Sequence, residues 1–246
     1  MPRYQILIEY EGTNFVGWQI QSKGQSVQKL IQQKISKLLK QKISLVGAGR
    51  TDSGVHAIEQ SAHFDVKDKI VNLEKFLKSL NFFLNNKLIS ITYIKKKSNK
   101  FHARFSAKKR IYKYIIFNRN SVPSIHKNRG WYIKNKLDIS LMKKGAKKLE
   151  GTHDYSTYRS SNCSAKSPIR TIDFIKIKKL KNTIEIRIKS QSFLQQQVRS
   201  IVGCLKYLGE KKWNLIKFNY VHISKKRKLC ATPAPALGLY LEKVIY

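Results

Sequence analysis

Acid is what this chain lacks. Its 246 residues include 14 Asp and Glu against 50 Lys and Arg, for a formal charge of +36. Any carboxylate outside a solvated face therefore has a reason to be where it is. Cysteine is sparse too. Cys163, Cys204 and Cys230 lie far apart with no Cys-x-x-Cys pair, which points to reduced thiols in a cytoplasmic protein rather than a disulfide framework or a zinc site. The six histidines are scattered without ligand spacing, so no metal is expected. No apolar run is long enough to span a bilayer, and Met1-Pro2-Arg3-Tyr4 leads into a strand-like segment without a signal h-region. These absences predict a soluble, unexported protein with no membrane partner.

What is present is positive charge and a core. A field of that sign attracts polyanions, and nucleic acid is the natural partner. Its sign says more than its size, because Lys, Ile and Asn are all abundant, as in a chain whose composition has drifted. The apolar share of 41%, with many Ile, Leu, Phe and Tyr, is enough to bury a substantial core.

The periodicities alternate in kind. Tyr4 to Glu9 alternates as a strand, and Ser26 opens a helix with Val27, Leu30, Ile31, Ile35, Leu38 and Leu39 at helical spacing. Ile43 to Ala48 and Gln60 to Val66 read as strands. A helix over Leu73 to Leu84, capped by Asn72, and a strand from Leu88 to Ile94 complete a βαββαβ order. The lysine-rich junction Lys95 to Lys100 suggests a boundary, giving halves 1–100 and 101–246. The second half repeats the order: a strand over Arg110 to Phe117, a helix over Ile139 to Leu149, and a hairpin from Thr171 to Lys189 turning at Lys181-Asn182. A helix over Phe193 to Leu208 and a strand over Leu237 to Val244 follow. Insertions are expected at Asn118 to Trp131, Thr152 to Pro168 and Glu210 to Pro235. The expected fold is α+β: two ferredoxin-like, RRM-like βαββαβ halves with antiparallel sheets side by side and a central active-site cleft.

Asp52 falls between two strands, in a loop with three glycines, Gly47, Gly49 and Gly54, and with Arg50 two residues away. Glycine lets such a backbone approach a ligand closely. From residue chemistry alone the loop is either a catalytic site or an Asx-turn in which Arg50 pairs with Asp52. Tyr112 and Tyr114 share one face of a strand and could be ordinary sheet packing. Arg199 sits beside the apolar face of Phe193, Val198, Ile201, Val202 and Leu205. It either snorkels to water or reaches into the cleft and pairs with Asp52.

The run Ala48-Gly49-Arg50-Thr51-Asp52-Ser53-Gly54-Val55-His56-Ala57 resembles the active-site motif of the tRNA pseudouridine synthase A family. Phe101 to Ala107 with Lys108 to Tyr114 is similar to that family's second motif, and Ser192 to Gly203 to its arginine helix. Tyr10 to Gln28 and Ala231 to Leu241 match its terminal signatures, so the likeness runs end to end. It departs at Gln195-Gln196-Gln197, where relatives carry histidines.

This resemblance implies a pseudouridine synthase fold and isomerisation of uridine to pseudouridine at positions 38, 39 and 40 of the tRNA anticodon stem and loop. It implies Asp52 as nucleophile, Tyr112 stacked on the target base, and Arg50 and Arg199 as its catalytic companions. It also implies a homodimer that needs no cofactor. His56, His63 and His102 read as packing or hydrogen-bonding residues. Two rivals fit less well. A non-catalytic protein with two RRM-like halves would show the aromatic RNP pattern, which is missing, and an RNA-cleaving enzyme would want more than one acid in the key loop.

Overall fold

The alternation at the start of the chain is obeyed by burial. In β1 (Arg3–Tyr10), Tyr4, Ile6, Ile8 and Tyr10 are buried, while on the other face Glu9 is exposed and Gln5 alone is buried, donating to Ser61 Oγ at 2.9 Å. The computed structural model describes residues 1–246 and divides into two compact units, Met1–Lys108 with Tyr240–Tyr246, and Lys109–Leu239.

The first unit is a split βαβ sheet. α1 (Val27–Leu39) starts where the Ser26 side chain accepts the Lys29 N–H, and it buries Val27, Leu30, Ile31 and Ile35. It ends at Lys40 in the left-handed conformation, φ 50°. α2 (Leu73–Leu84) starts in the same way, with Asn72 Oδ1 accepting the Lys75 N–H at 2.8 Å. Such caps satisfy backbone donors that the first helical turn leaves without partners. β1 lies between β3 (His56–Asp65) and β4 (Ile89–Lys97), antiparallel to both, with Arg3 opposite Asp65 and Tyr10 opposite Ala57. The short β2 (Val46–Gly47) pairs with the far side of β3, Val46 opposite His63. β10 (Leu239–Ile245) runs parallel to the start of β3, with Tyr240 opposite His56 and Leu241 opposite Ala57.

Arg3 fastens one corner. Its guanidinium meets Asp65 at 2.7 Å through two nitrogens and donates to the carbonyls of Asn99 and Phe101. The hydrogen bond from Arg3 holds the Asp65 carboxyl below the usual range.

In the second unit β5 (Lys109–Asn118) pairs antiparallel with β9 (Thr183–Ser190), and β9 with β8 (Ile169–Lys179). The hairpin closes at Lys181-Asn182, where the Leu180 N–H donates to the Thr183 carbonyl at 2.8 Å. α3 (Ile139–Lys147) and α4 (Gln197–Gly209) pack on each other.

Three elements escape the sequence reading: α5 (Leu215–Ile223) lies inside a stretch that reads as an insertion, and β6 (Trp131–Ile133) and β7 (Gly151–Asp154) straddle the edges of two others. The strands are too short to show a period. α5 is apolar around most of its circumference, so its sequence has no helical stripe to detect. α4 begins at Gln197 rather than Phe193, because Gln196 takes a left-handed φ of 60°. The Gln197 side chain turns back to accept the Leu194 N–H at 2.8 Å. A residue at positive φ cannot continue the helix backwards.

His222 of α5 is buried among the rings of His153, Tyr155 and Tyr158, at centroid distances of 5.0, 5.9 and 5.8 Å. Burial lowers its pKa from 6.5 to about 4. The unfolded chain therefore takes up a proton between those values that the folded chain refuses. The contribution is nil above pH 6.5 and becomes a loss as the pH falls toward 4, up to roughly 3 kcal/mol. His222→Gln should flatten the decline of Tm between pH 7 and pH 4.5; an unchanged profile would contradict this account.

Candidate active site

The loop that carries Asp52 is held from both sides. Ahead of it, the Ala48 N–H donates to the Ser61 carbonyl at 2.7 Å, and Gln60 Nε2 donates to the Gly49 carbonyl at 2.9 Å. Thr51 is buried. Its hydroxyl shares a 2.8 Å hydrogen bond with the Tyr10 hydroxyl, and its carbonyl accepts the Trp18 N–H at 3.2 Å. Behind it, Ser53 Oγ donates to the Phe15 carbonyl at 3.1 Å, and the Val55 N–H donates to the carbonyl of Asp52 at 3.2 Å.

The segment from Gly12 to Trp18 thus clamps the loop, and two glycines permit the approach. Gly17 has φ +108°, and a Cβ built there would stand 2.5 Å from the Thr51 carbonyl oxygen. A Cβ on Gly12 would stand 2.0 Å from that of Val55. Asp52 is half-buried and Arg50 exposed on this rigid frame. A carboxylate fixed before substrate arrives loses little on ordering, which is what a nucleophile or base requires.

The nearby histidines accept hydrogen bonds from backbone. His56 Nδ1 takes the Gly12 N–H at 3.0 Å, and its ring stacks on Tyr240 at 4.7 Å. His63 Nδ1 takes the Ala103 N–H at 3.1 Å, and burial lowers its pKa to about 4. Both imidazoles thus brace backbone from other segments.

In the second unit Tyr112 is buried on β5 opposite Ile188, edge-on to Phe193 at 5.2 Å and 89°. Tyr114, two residues along, donates its hydroxyl to the Pro235 carbonyl at 2.8 Å, and burial pushes its pKa far up. Arg199 lies in the first turn of α4. Its Nε donates to the Ala234 carbonyl at 2.7 Å, while the Ala234 N–H donates back to the Arg199 carbonyl at 2.9 Å. One turn later Gly203 lets the Thr232 carbonyl in, since a Cβ there would stand 2.2 Å from that oxygen.

Residues 231–235 are therefore the brace of Arg199, a role that sequence reasoning missed. Their two prolines, Pro233 and Pro235, were the available signal. Of Gln195, Gln196 and Gln197, only Gln197 is buried, and it closes the turn that starts α4. The structure places Arg50 with Asp52 on one loop of the first unit, and Tyr112 and Arg199 on β5 and α4 of the second. It assembles no group of His, Cys, Asp and Glu side chains that could hold a metal ion.

The sequence model of the tRNA pseudouridine synthases matches residues 6–106 and 146–246. The chain belongs to the tRNA pseudouridine synthase family. A family member from Pelagibacter ubique, tRNA pseudouridine synthase A, is 69% identical over 246 residues, the full length of both chains. Proteins of the same name from Parvibaculum lavamentivorans and Sinorhizobium medicae are 39% and 40% identical, again over 100% of each chain. A chain of a Cbf5-Nop10-Gar1 complex aligns over 82% of this chain and 53% of its own at 13% identity, with a TM-score of 0.35. The segments matched to the family contain Arg50, Asp52 and Arg199, whereas Tyr112 lies between them.

Proposed function

We propose that this synthase family member converts uridine to pseudouridine in tRNA, at positions 38, 39 and 40 of the anticodon stem and loop, with Asp52 as the nucleophile. The observation that carries the reading is the Asp52 loop, fixed through Thr51 and Ser53 by the Gly12–Trp18 segment in a chain that belongs to this family. Arg50, exposed beside it, takes the space of the extruded nucleotide or holds it out. The phenol of Tyr112 stacks on the uracil, and Arg199, steadied by Ala234, is a further catalytic companion.

The carboxylate then attacks the sugar at C1′ or removes its C2′ proton, and the N-glycosidic bond breaks. The freed uracil turns and bonds to C1′ through C5, displacing the Asp52 carboxylate from C1′ in the first route or with the carboxyl returning its proton to C2′ in the second, while the C5 proton leaves to solvent and N1 takes one up. The net change is an isomerisation. The chain acts as a homodimer in the cytoplasm on this reading, and sedimentation of the purified protein checks the first point.

The direct test uses tRNA labelled with tritium at C5 of uridine. Stoichiometric release to water is expected, and replacing the uridines at 38, 39 and 40 by cytidine should abolish it. Release that survives those replacements would refute the assigned positions, and binding without release would refute the isomerase.

A further inference from the structure

Phe105 is 77% exposed, yet the segment that carries it is rigid. The His102 N–H donates to Ser106 Oγ at 2.9 Å, and the Ser106 N–H returns to the His102 carbonyl at 2.8 Å. The N–H groups of Arg104 and Phe105 both point at His102 Nδ1, each at 3.2 Å. An imidazole accepting there is neutral, and burial together with Arg3 and Arg104 lowers the pKa of His102 in keeping with this.

Beneath it lies His63 of β3, 4% exposed, its ring edge-on to His102 at 4.8 Å and 61°. Above it Phe105 stacks on His102 at 4.4 Å and 30°. From strand to solvent the order is imidazole, imidazole, benzene, and the pile ends with the exposed ring of Phe105. Arg104 lies over that ring at longer range, its guanidinium carbon 5.5 Å from the centroid.

We infer that Phe105 is a stacking platform for an unpaired base of the RNA substrate, with Arg104 supplying positive charge toward the adjoining phosphates. The inference rests on the tRNA reading above. A base offers a π-face to the ring and a phosphate to the cation, the pairing by which single-stranded RNA is commonly held. An apolar partner would offer the Arg104 guanidinium no countercharge for the water it displaced, whereas a phosphate does.

The Asp52 loop starts beside Ser61, to whose carbonyl the Ala48 N–H donates, and enters β3 at His56, while His63 lies two residues beyond Ser61 on the same strand. The base on the platform is a different one from the reacting uridine. The platform's contribution is to binding and positioning.

The test uses the full chain and an unmodified tRNA transcript, with Phe105→Ala, Phe105→Trp and, as a control, Phe82→Ala. Phe82 is 79% exposed on α2 and touches its neighbour Phe83 only edge-on. Phe105→Ala should weaken Kd and raise KM about tenfold, the worth of one base stack, with the loss absent from kcat. Phe105→Trp should restore binding, and Phe82→Ala should leave it unchanged.

Wild-type affinity in Phe105→Ala overturns the inference. So does an equal loss in Phe82→Ala, or a loss that tracks a change in sedimentation, which would mark a subunit contact. If the wild type binds tRNA without turning it over, the isomerase reading falls, and the Kd comparison still decides the platform.

Discussion

Asp52→Asn is expected to bind tRNA within a few-fold of wild type and to turn it over at least about 10⁴-fold more slowly, in the range that loss of a nucleophile costs. The size of the effect follows from how the loop is held. Its anchors are the Thr51 hydroxyl and carbonyl, the Ser53 hydroxyl and the backbone of Val55, none of which depends on the Asp52 charge. Asn is nearly isosteric, so the fold should keep its Tm while losing the one acid placed in this loop. Single-turnover tritium release measured beside filter binding separates the two quantities. Turnover near the wild-type rate would remove Asp52 from the mechanism, whereas joint loss of Tm and binding would make it a structural turn.

Gly12→Ala should be as damaging by a different route. The added methyl carbon would sit 2.0 Å from the Val55 carbonyl oxygen and 2.5 Å from its carbon, and both are backbone atoms that cannot rotate away. The two loops must separate, which strains the Gly12 N–H to His56 hydrogen bond and shifts the segment that positions Asp52. Overpacking against backbone costs about 3 kcal/mol or more, and in a chain of this length that lowers Tm by roughly 6–12 °C. Turnover at 25 °C should fall further than the loss of folded protein explains. A Tm and rate equal to wild type would mean that the clamp yields at no cost.

Much of this architecture is legible in the residues, because burial follows period. The helix over Val27 to Leu39 could be read from Val27, Leu30, Ile31 and Ile35, and its start from Ser26; all four apolar residues are buried and Ser26 is the cap. The hairpin at Lys181-Asn182 is equally plain, since two alternating runs leave only those residues to turn. What escaped depends on contacts distant in sequence. Nothing in the neighbourhood of Gln197 says that its side chain will fold back on Leu194 and delay the helix by four residues.

At the site, the loop of Asp52 was visible as a break between strands. The clamp was not, because Gly12 and Gly17 acquire their meaning only when Val55 and Thr51 arrive beside them. The same holds for Arg199, whose brace at Ala234 lies 35 residues away.

The parallel pairing of β10 with β3 bears on how the protein is made. His56 and Tyr240 face each other across that pairing, yet about 180 residues separate them, and a ribosome working at roughly 5–20 residues per second needs about 10–40 s to traverse that interval. Throughout it the start of β3, next to the Asp52 loop, lacks this neighbour and presents backbone donors and acceptors to whatever is near. The nascent N-terminal unit is thus an open-edged species during most of translation, with a cationic surface in the immediate vicinity of ribosomal RNA. Slowing elongation between these two strands should lengthen that exposure and lower the yield of active enzyme, even with every codon still specifying the same residue.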